Sequence, residues 1–210
     1  MQITKFGHAC VRIEHAGVRL VLDPGSFTAR DAVDRADVIL ITHQHADHYD
    51  ADHLRSVSAP IVTIDAVARV IAEEAPDLSD RVRVVAPGDM LDLGVPVRVV
   101  GEKHAVIHPD CPRFDNSGYL LTLGDQRVYH PGDSLVPPGE KIDVLLAPIS
   151  APWLKMSEAI DFVREVAAPR NLGIHDKVYS DLALGMVDTH MANLIGELSF
   201  VRLPDGADLE

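Results

Sequence analysis

Short apolar runs open the chain. Gln2 to Phe6, Cys10 to Glu14 and Val18 to Leu22 alternate or run unbroken in the manner of strands, and His15-Ala16-Gly17 fits a hairpin turn between the last two. Asp23-Pro24-Gly25 breaks the third run and leaves a carboxylate at its C-terminal end. Val38-Ile39-Leu40-Ile41 is continuous, as expected of a strand buried on both faces. Ile61-Val62 predicts another strand. The spacing of Val67, Val70, Ile71 and Glu74 predicts a helix from about 66 to 74, capped by Thr63 or Asp65. The β pattern resumes over 81–85, 90–93 and 97–101. Gly118 to Leu123 and Arg127 to Tyr129 pair across Gly124-Asp125-Gln126. Val144 to Ala147 predicts a buried strand. A helix follows, capped by Ser157, with Ala159, Ile160, Val163, Val166 and Ala167 as its apolar stripe. Asn171 to Ile174 predicts the last strand and 181–195 a helix, with a tail after Pro204 expected to fray.

Strands thus come in two batches, each followed by helices, with no linker or low-complexity segment between them. That pattern predicts an α+β fold in which two sheets pack together beneath outer helices. A length of 210 residues suits one domain, read here as 1–203 with 204–210 as its loose end. The net charge of −13 argues against nucleic acid, whose phosphates require a basic face. No apolar stretch is long enough to cross a membrane. The opening Met1-Gln2-Ile3-Thr4-Lys5-Phe6 lacks an apolar signal region, so a cytoplasmic protein acting on a small molecule is expected. A homo-oligomer is compatible with this composition.

Two cysteines, Cys10 and Cys111, are too few for a disulfide framework and too far apart for a zinc ribbon. Histidine is the anomaly: of eleven, His43, His45, His48 and His53 fall within eleven residues. In His43-Gln44-His45-Ala46-Asp47-His48, residues two apart point to the same side, so His43 and His45 can grip one cation. Asp47 and His48, adjacent and pointing apart, are better placed for a second. Imidazole and carboxylate suit zinc, manganese or iron. The string begins two residues after a buried apolar run, and strand ends are where scaffolds present ligands.

These residues resemble the metallo-β-lactamase-fold hydrolases. The resemblance rests on His43-x-His45-x-Asp47-His48 after an apolar strand and Asp23 in Leu22-Asp23-Pro24. It is carried further by His104 in Gly101-Glu102-Lys103-His104, Asp133 in His130-Pro131-Gly132-Asp133 and His175 in Gly173-Ile174-His175-Asp176. It implies a four-layer αββα sandwich holding two divalent metal ions, zinc or manganese. His43, His45 and His104 would hold the first and Asp47, His48 and His175 the second. Asp133 would bridge them, and Asp23 would orient a ligating histidine. His108, four residues after His104, competes for the third place at the first ion. His8, His130 and Asp176 are expected near the site, in hydrogen-bonding or catalytic roles, and His15, His53 and His190 as surface or interface polars. Phe6-Gly7-His8-Ala9-Cys10 and Tyr129-His130-Pro131-Gly132-Asp133 further resemble the branch containing L-ascorbate-6-phosphate lactonase.

The activity implied is hydrolysis by a hydroxide bridging the metals, with Asp47 as the catalytic group handling its proton. The substrate expected is a small, anionic ester, lactone or phosphoester. Two alternatives stand beside it, a phosphodiesterase of small or lipid-derived substrates and a catalytically silent metal-binding module. Lys103, Arg113, Asn116 and His108 on the segment leaving His104, with Trp153 and Lys155 on the loop after Pro148, are candidate substrate contacts.

Overall fold

The computed structural model describes all 210 residues. The first three runs form an antiparallel meander of β1 (Gln2–Gly7), β2 (Cys10–His15) and β3 (Val18–Leu22). To this β4 (Val38–Ile41), β5 (Ile61–Thr63) and β6 (Val82–Val84) add in parallel, completing a six-stranded sheet in sequential order. The crossovers carry α1 (Ala51–Arg55) and α2 (Asp65–Glu74). The second sheet contains β7 (Met90–Asp92), β8 (Pro96–Val100), β9 (Gly118–Leu123), β10 (Gln126–His130), β11 (Val144–Pro148), β12 (Arg170–Ile174) and β13 (Ser199–Val201). Its order is β13-β12-β11-β10-β9-β8-β7, with β10 to β13 mutually parallel. α3 (Met156–Val166) and α4 (Asp181–Leu194) make the crossovers on either side of β12.

The period of two along each strand sorts the side chains into three apolar layers. Leu20 and Leu22, Val38 and Leu40, Leu121 and Leu123, and Val144 and Leu146 meet in the core between the sheets. Their neighbours point the other way: Val21, Ile39 and Ile41 pack under α1 and α2, and Leu120, Leu145 and Ala147 under α3 and α4. Two sheets faced by helices on both outer sides give the four-layer αββα sandwich. Each fully buried Leu or Ile contributes about 1.5–3 kcal/mol to holding it.

Several local expectations give way. α2 has no side-chain cap, because the Thr63 hydroxyl donates instead to the Ile41 carbonyl. α3 begins at Met156, one residue before Ser157, and Glu158 accepts the Lys155 backbone N–H at 2.9 Å. Ala167 ends α3 in a left-handed conformation and is exposed, so Phe162 completes the buried stripe. His53, expected on the surface, is buried on the short α1 and meets the Thr28 carbonyl. The largest departure is the tail. Lys5 N–H donates to Ala207 O, Gly206 N–H to Lys5 O and Leu209 N–H to Ile3 O, so the segment expected to fray runs along β1. The free edge of β1 supplies unpaired backbone groups, and the tail satisfies them.

Candidate metal centre

Chemistry-bearing residues gather where strands of both sheets end. Asp23 follows β3, His43 follows β4 by two residues, Asp133 lies three beyond β10 and His175 directly follows β12. His8 sits in the tight turn between β1 and β2, and His104 four residues past β8. Inter-sheet hydrogen bonds bring the two edges together: Ser117 N–H to Thr42 O, His175 N–H to His8 O, and Tyr119 hydroxyl to Ile41 O. The backbone bends sharply here. His8, Asp23 and His175 have φ of 51°, 48° and 59°, conformations costly for non-glycine residues that cluster at functional sites. Gly25 is required because a Cβ there would overlap the backbone of Asp47 and His48.

Donor atoms collect in two groups whose members all lie within 4.8 Å of one another: His43, His45, His104 and Asp133, and His8, Asp47, His48 and His175. Asp133 reaches both. Its Oδ2 lies 3.2 Å from His104 Nε2 and 3.2 Å from His175 Nε2, while its Oδ1 lies 3.1 Å from His48 Nε2. Thus one carboxylate spans the two groups.

Hydrogen bonding fixes the tautomers and shows that divalent cations fit these donors. His48 donates its Nδ1–H to Asp23 Oδ2 at 2.7 Å, His104 to the Ala105 carbonyl at 2.6 Å and His175 to the Ser150 carbonyl. Thr42 Oγ1 gives its hydrogen to Asp23 Oδ2 and so accepts from His43 Nδ1. Each ring is thereby anchored through Nδ1 and turns its Nε2 inward, the orientation that metal-bound histidines adopt. His48, His104 and His175 Nε2 lie 3.1–3.2 Å from the Asp133 carboxylate, yet neither they nor Asp133 Oδ1 form a well-aligned hydrogen bond there. Such orphaned atoms are costly unless something else binds them. His8 differs. Its Nδ1 accepts the Lys177 N–H, so its Nε2 carries the hydrogen and donates to Asp47 Oδ2 at 3.0 Å. It orients a carboxylate instead of presenting a lone pair.

The electrostatics agree. Burial pushes His43, His45, His8 and His130 below their ordinary range, keeping them neutral. Burial also opposes charge on Asp133, yet His48 and His175 hold its carboxyl well below the usual range. In return, and against their own burial, Asp133 raises His48 well above 6.5 and His175 to about 9. Asp47 stays ionised despite partial burial, because the His175 and His8 imidazoles stabilise its charge. These opposed shifts arise where carboxylates and imidazoles crowd together out of water, a pattern that clusters at functional sites.

The remaining expected residues scatter. His108 is exposed and meets only Asp110, so it does not compete with His104. Lys103 pairs with Asp115 at the surface. Lys155 is exposed at the start of α3 and faces Glu158. Asn116 is buried: it accepts the Asp133 N–H and donates to the Pro131 carbonyl, and so braces the loop beneath the bridging carboxylate. None of these four side chains meets a donor atom of the two groups: Lys155 lies on another loop, and the segment leaving His104 folds back along Phe114 (His104 N–H to Phe114 O, 3.1 Å). Arg113 is tethered to the site by its Nε–H on the His104 carbonyl at 3.0 Å. Trp153 does face it, donating Nε1–H to Asp133 Oδ2 at 3.0 Å. Sequence reasoning missed Thr42, Phe114 and Ser150. Thr42 adjoins the histidine string and could have been weighed. Phe114 packs edge-on against His45, and Ser150 receives His175 on its backbone carbonyl, which leaves no side-chain signature.

Comparison with known proteins gives the class. The family described as the Beta-lactamase superfamily domain matches residues 2–175. Protein Rv0786c of Mycobacterium tuberculosis is 41% identical over 89% of this chain and 89% of its own. A UPF0173 metal-dependent hydrolase of Salinibacter ruber is 32% identical over 71% of this chain and 72% of its own. Igni18, a metallo hydrolase from the archaeon Ignicoccus hospitalis, shares the fold with a TM-score of 0.76 at 17% identity, covering 99% of this chain and 97% of its own. The chain belongs to the beta-lactamase superfamily and, within it, to the UPF0173 family of metal-dependent hydrolases.

Proposed function

We infer that this protein holds two divalent cations, zinc or manganese, and hydrolyses a small, anionic ester, lactone or phosphoester. The observation that carries the reading is Asp133, whose two oxygens serve both donor groups. His43, His45 and His104 would hold one cation, and Asp47, His48 and His175 the other. Cations bound there would act as Lewis acids and lower the pKa of a shared water from about 15.7 to about 7. The chain's own residues do the rest. Asp23 and Thr42 keep His48 and His43 in the ligating tautomer. His8 engages Asp47 Oδ2, the oxygen nearest His175, which leaves Oδ1 free to take the proton released by the attacking water. Trp153 covers both groups, with its ring 5.5 Å from that of His104 and 6.2 Å from that of His175, and so limits bulk water. Arg113 is the cation left to meet a substrate carboxylate or phosphate. The similarity of Phe6–Cys10 and Tyr129–Asp133 to the lactonase-containing branch favours a lactone among these substrates.

Metal analysis with a panel of lactones and chromogenic phosphodiesters tests this. Two equivalents of metal and turnover of a panel member are expected. Asp47→Ala should abolish that turnover while keeping the first metal, and Arg113→Ala should raise KM for anionic more than for neutral substrates. A single equivalent in the wild type would overturn the two-metal reading, and an active Asp47→Ala would overturn the proton role.

A further inference from the structure

Lys5 is fully buried, and its ammonium has two carboxylate partners: Asp176 at 2.9 Å and Asp205 at 3.2 Å. A buried charge of this kind is stable only while paired. Asp205 belongs to the C-terminal tail and also takes the Lys177 ammonium at 2.6 Å. Asp176 and Lys177 directly follow His175. The Lys177 backbone N–H donates to His8 Nδ1 at 3.1 Å and the His175 N–H to the His8 carbonyl at 2.9 Å. His8 in turn holds Asp47. A continuous set of contacts therefore runs from the tail to His175 and Asp47, two donors of the second group. The side chains of His43, His45 and His104 take no part in it.

We propose that Asp205 is a positioning residue for the second cation: the tail closes over the Lys5 ammonium and fixes the 175–177 turn, which sets His175 directly and Asp47 through His8. This rests on the two-metal reading above. Asp208 provides the contrast. It lies on the same tail and binds Thr4 Oγ1 and Gln2 Nε2, but reaches neither Lys5 nor Lys177. A tail that merely closes the edge of the sheet needs both aspartates alike, whereas a positioning contact needs Asp205 alone.

The test is isothermal titration of the metal-free, full-length protein with Zn2+. Wild type should show two steps. Asp205→Ala should weaken the second by about tenfold or more while leaving the first nearly unchanged, the usual cost of losing a contact that orients a ligand. Asp208→Ala should leave both steps as in wild type. Lys177→Ala, an exposed substitution that keeps the backbone N–H, should also weaken the second step, and decides the matter should Asp205→Ala fail to fold. Unchanged second steps in Asp205→Ala and Lys177→Ala would overturn the proposal, as would equal losses at both steps or an Asp208→Ala that behaves like Asp205→Ala. A single step in the wild type would remove the two-metal reading before any variant is compared, and the proposal with it.

Discussion

Asp23→Asn removes one charge from the most enclosed carboxylate of the site. Asp23 is fully buried and accepts three hydrogens: Thr42 N–H on Oδ1 at 2.8 Å, and Thr42 Oγ1–H and His48 Nδ1–H on Oδ2, each at 2.7 Å. An asparagine that keeps its oxygen on the Thr42 amide must turn its NH2 toward Thr42 and His48. The His48 Nδ1–H then faces a donor. Relief comes only if His48 gives up its Nδ1 hydrogen, which leaves the remaining hydrogen on Nε2, facing Asp133, where a cation needs a lone pair. Two charge-assisted bonds at about 1.5–3 kcal/mol each are lost or weakened, so the metal-free protein should lose roughly 3–6 kcal/mol. At about 2–4 °C per kcal/mol for a chain of this size, the melting temperature should fall by at least about 6 °C. Affinity for the second cation should drop about 10- to 100-fold, with a smaller effect on the first, since Asp23 reaches His43 only through Thr42. Calorimetry of the metal-free protein and Zn2+ titration read both quantities. A variant with wild-type affinity at the second step would show that Asp23 does not set the tautomer of His48.

Three further outcomes follow from the same geometry. In the metal-free protein His48 and His175 titrate above their ordinary 6.5, His175 at about 9. Both carry protons at pH 7 that a cation must displace, so Zn2+ binding should release protons and tighten as pH rises toward about 9. The heat should then vary with the ionisation enthalpy of the buffer, and a buffer-independent heat would contradict this protonation. The same raised values contribute stability that is complete below pH 6.5 and lost as pH climbs through about 9, so the melting temperature without metal should decline across that window. Gly25→Ala would drive a methyl group into the Asp47–His48 backbone. It should yield insoluble protein or a chain that binds at most one equivalent of zinc; a soluble variant binding two would refute the close approach.

The chain declared much of this by itself. The unbroken apolar runs Val38–Ile41 and Val144–Ala147 follow directly from strands that bury both faces, so sheets under helices were legible from the chain alone. The histidine string was legible because its donors are local: six residues of backbone place His43, His45, Asp47 and His48 near one another whatever the rest does. The choice between His104 and His108 was not local. It depended on the segment after β8 folding back so that Phe114 accepts the His104 N–H, which buries one imidazole and leaves the other in solvent. Asn116 reads from the sequence as a candidate substrate contact, since nothing in its neighbourhood along the chain reveals the Asp133 amide it meets. The tail misled for the same reason. Pro204-Asp205-Gly206 has the composition of a loose end, and only the free edge of β1 and the buried Lys5 ammonium, two hundred residues upstream, give it partners. Sequence determines what backbone periodicity and short spacing can enforce; which distant carboxylate answers a buried cation is decided where the two sheets meet.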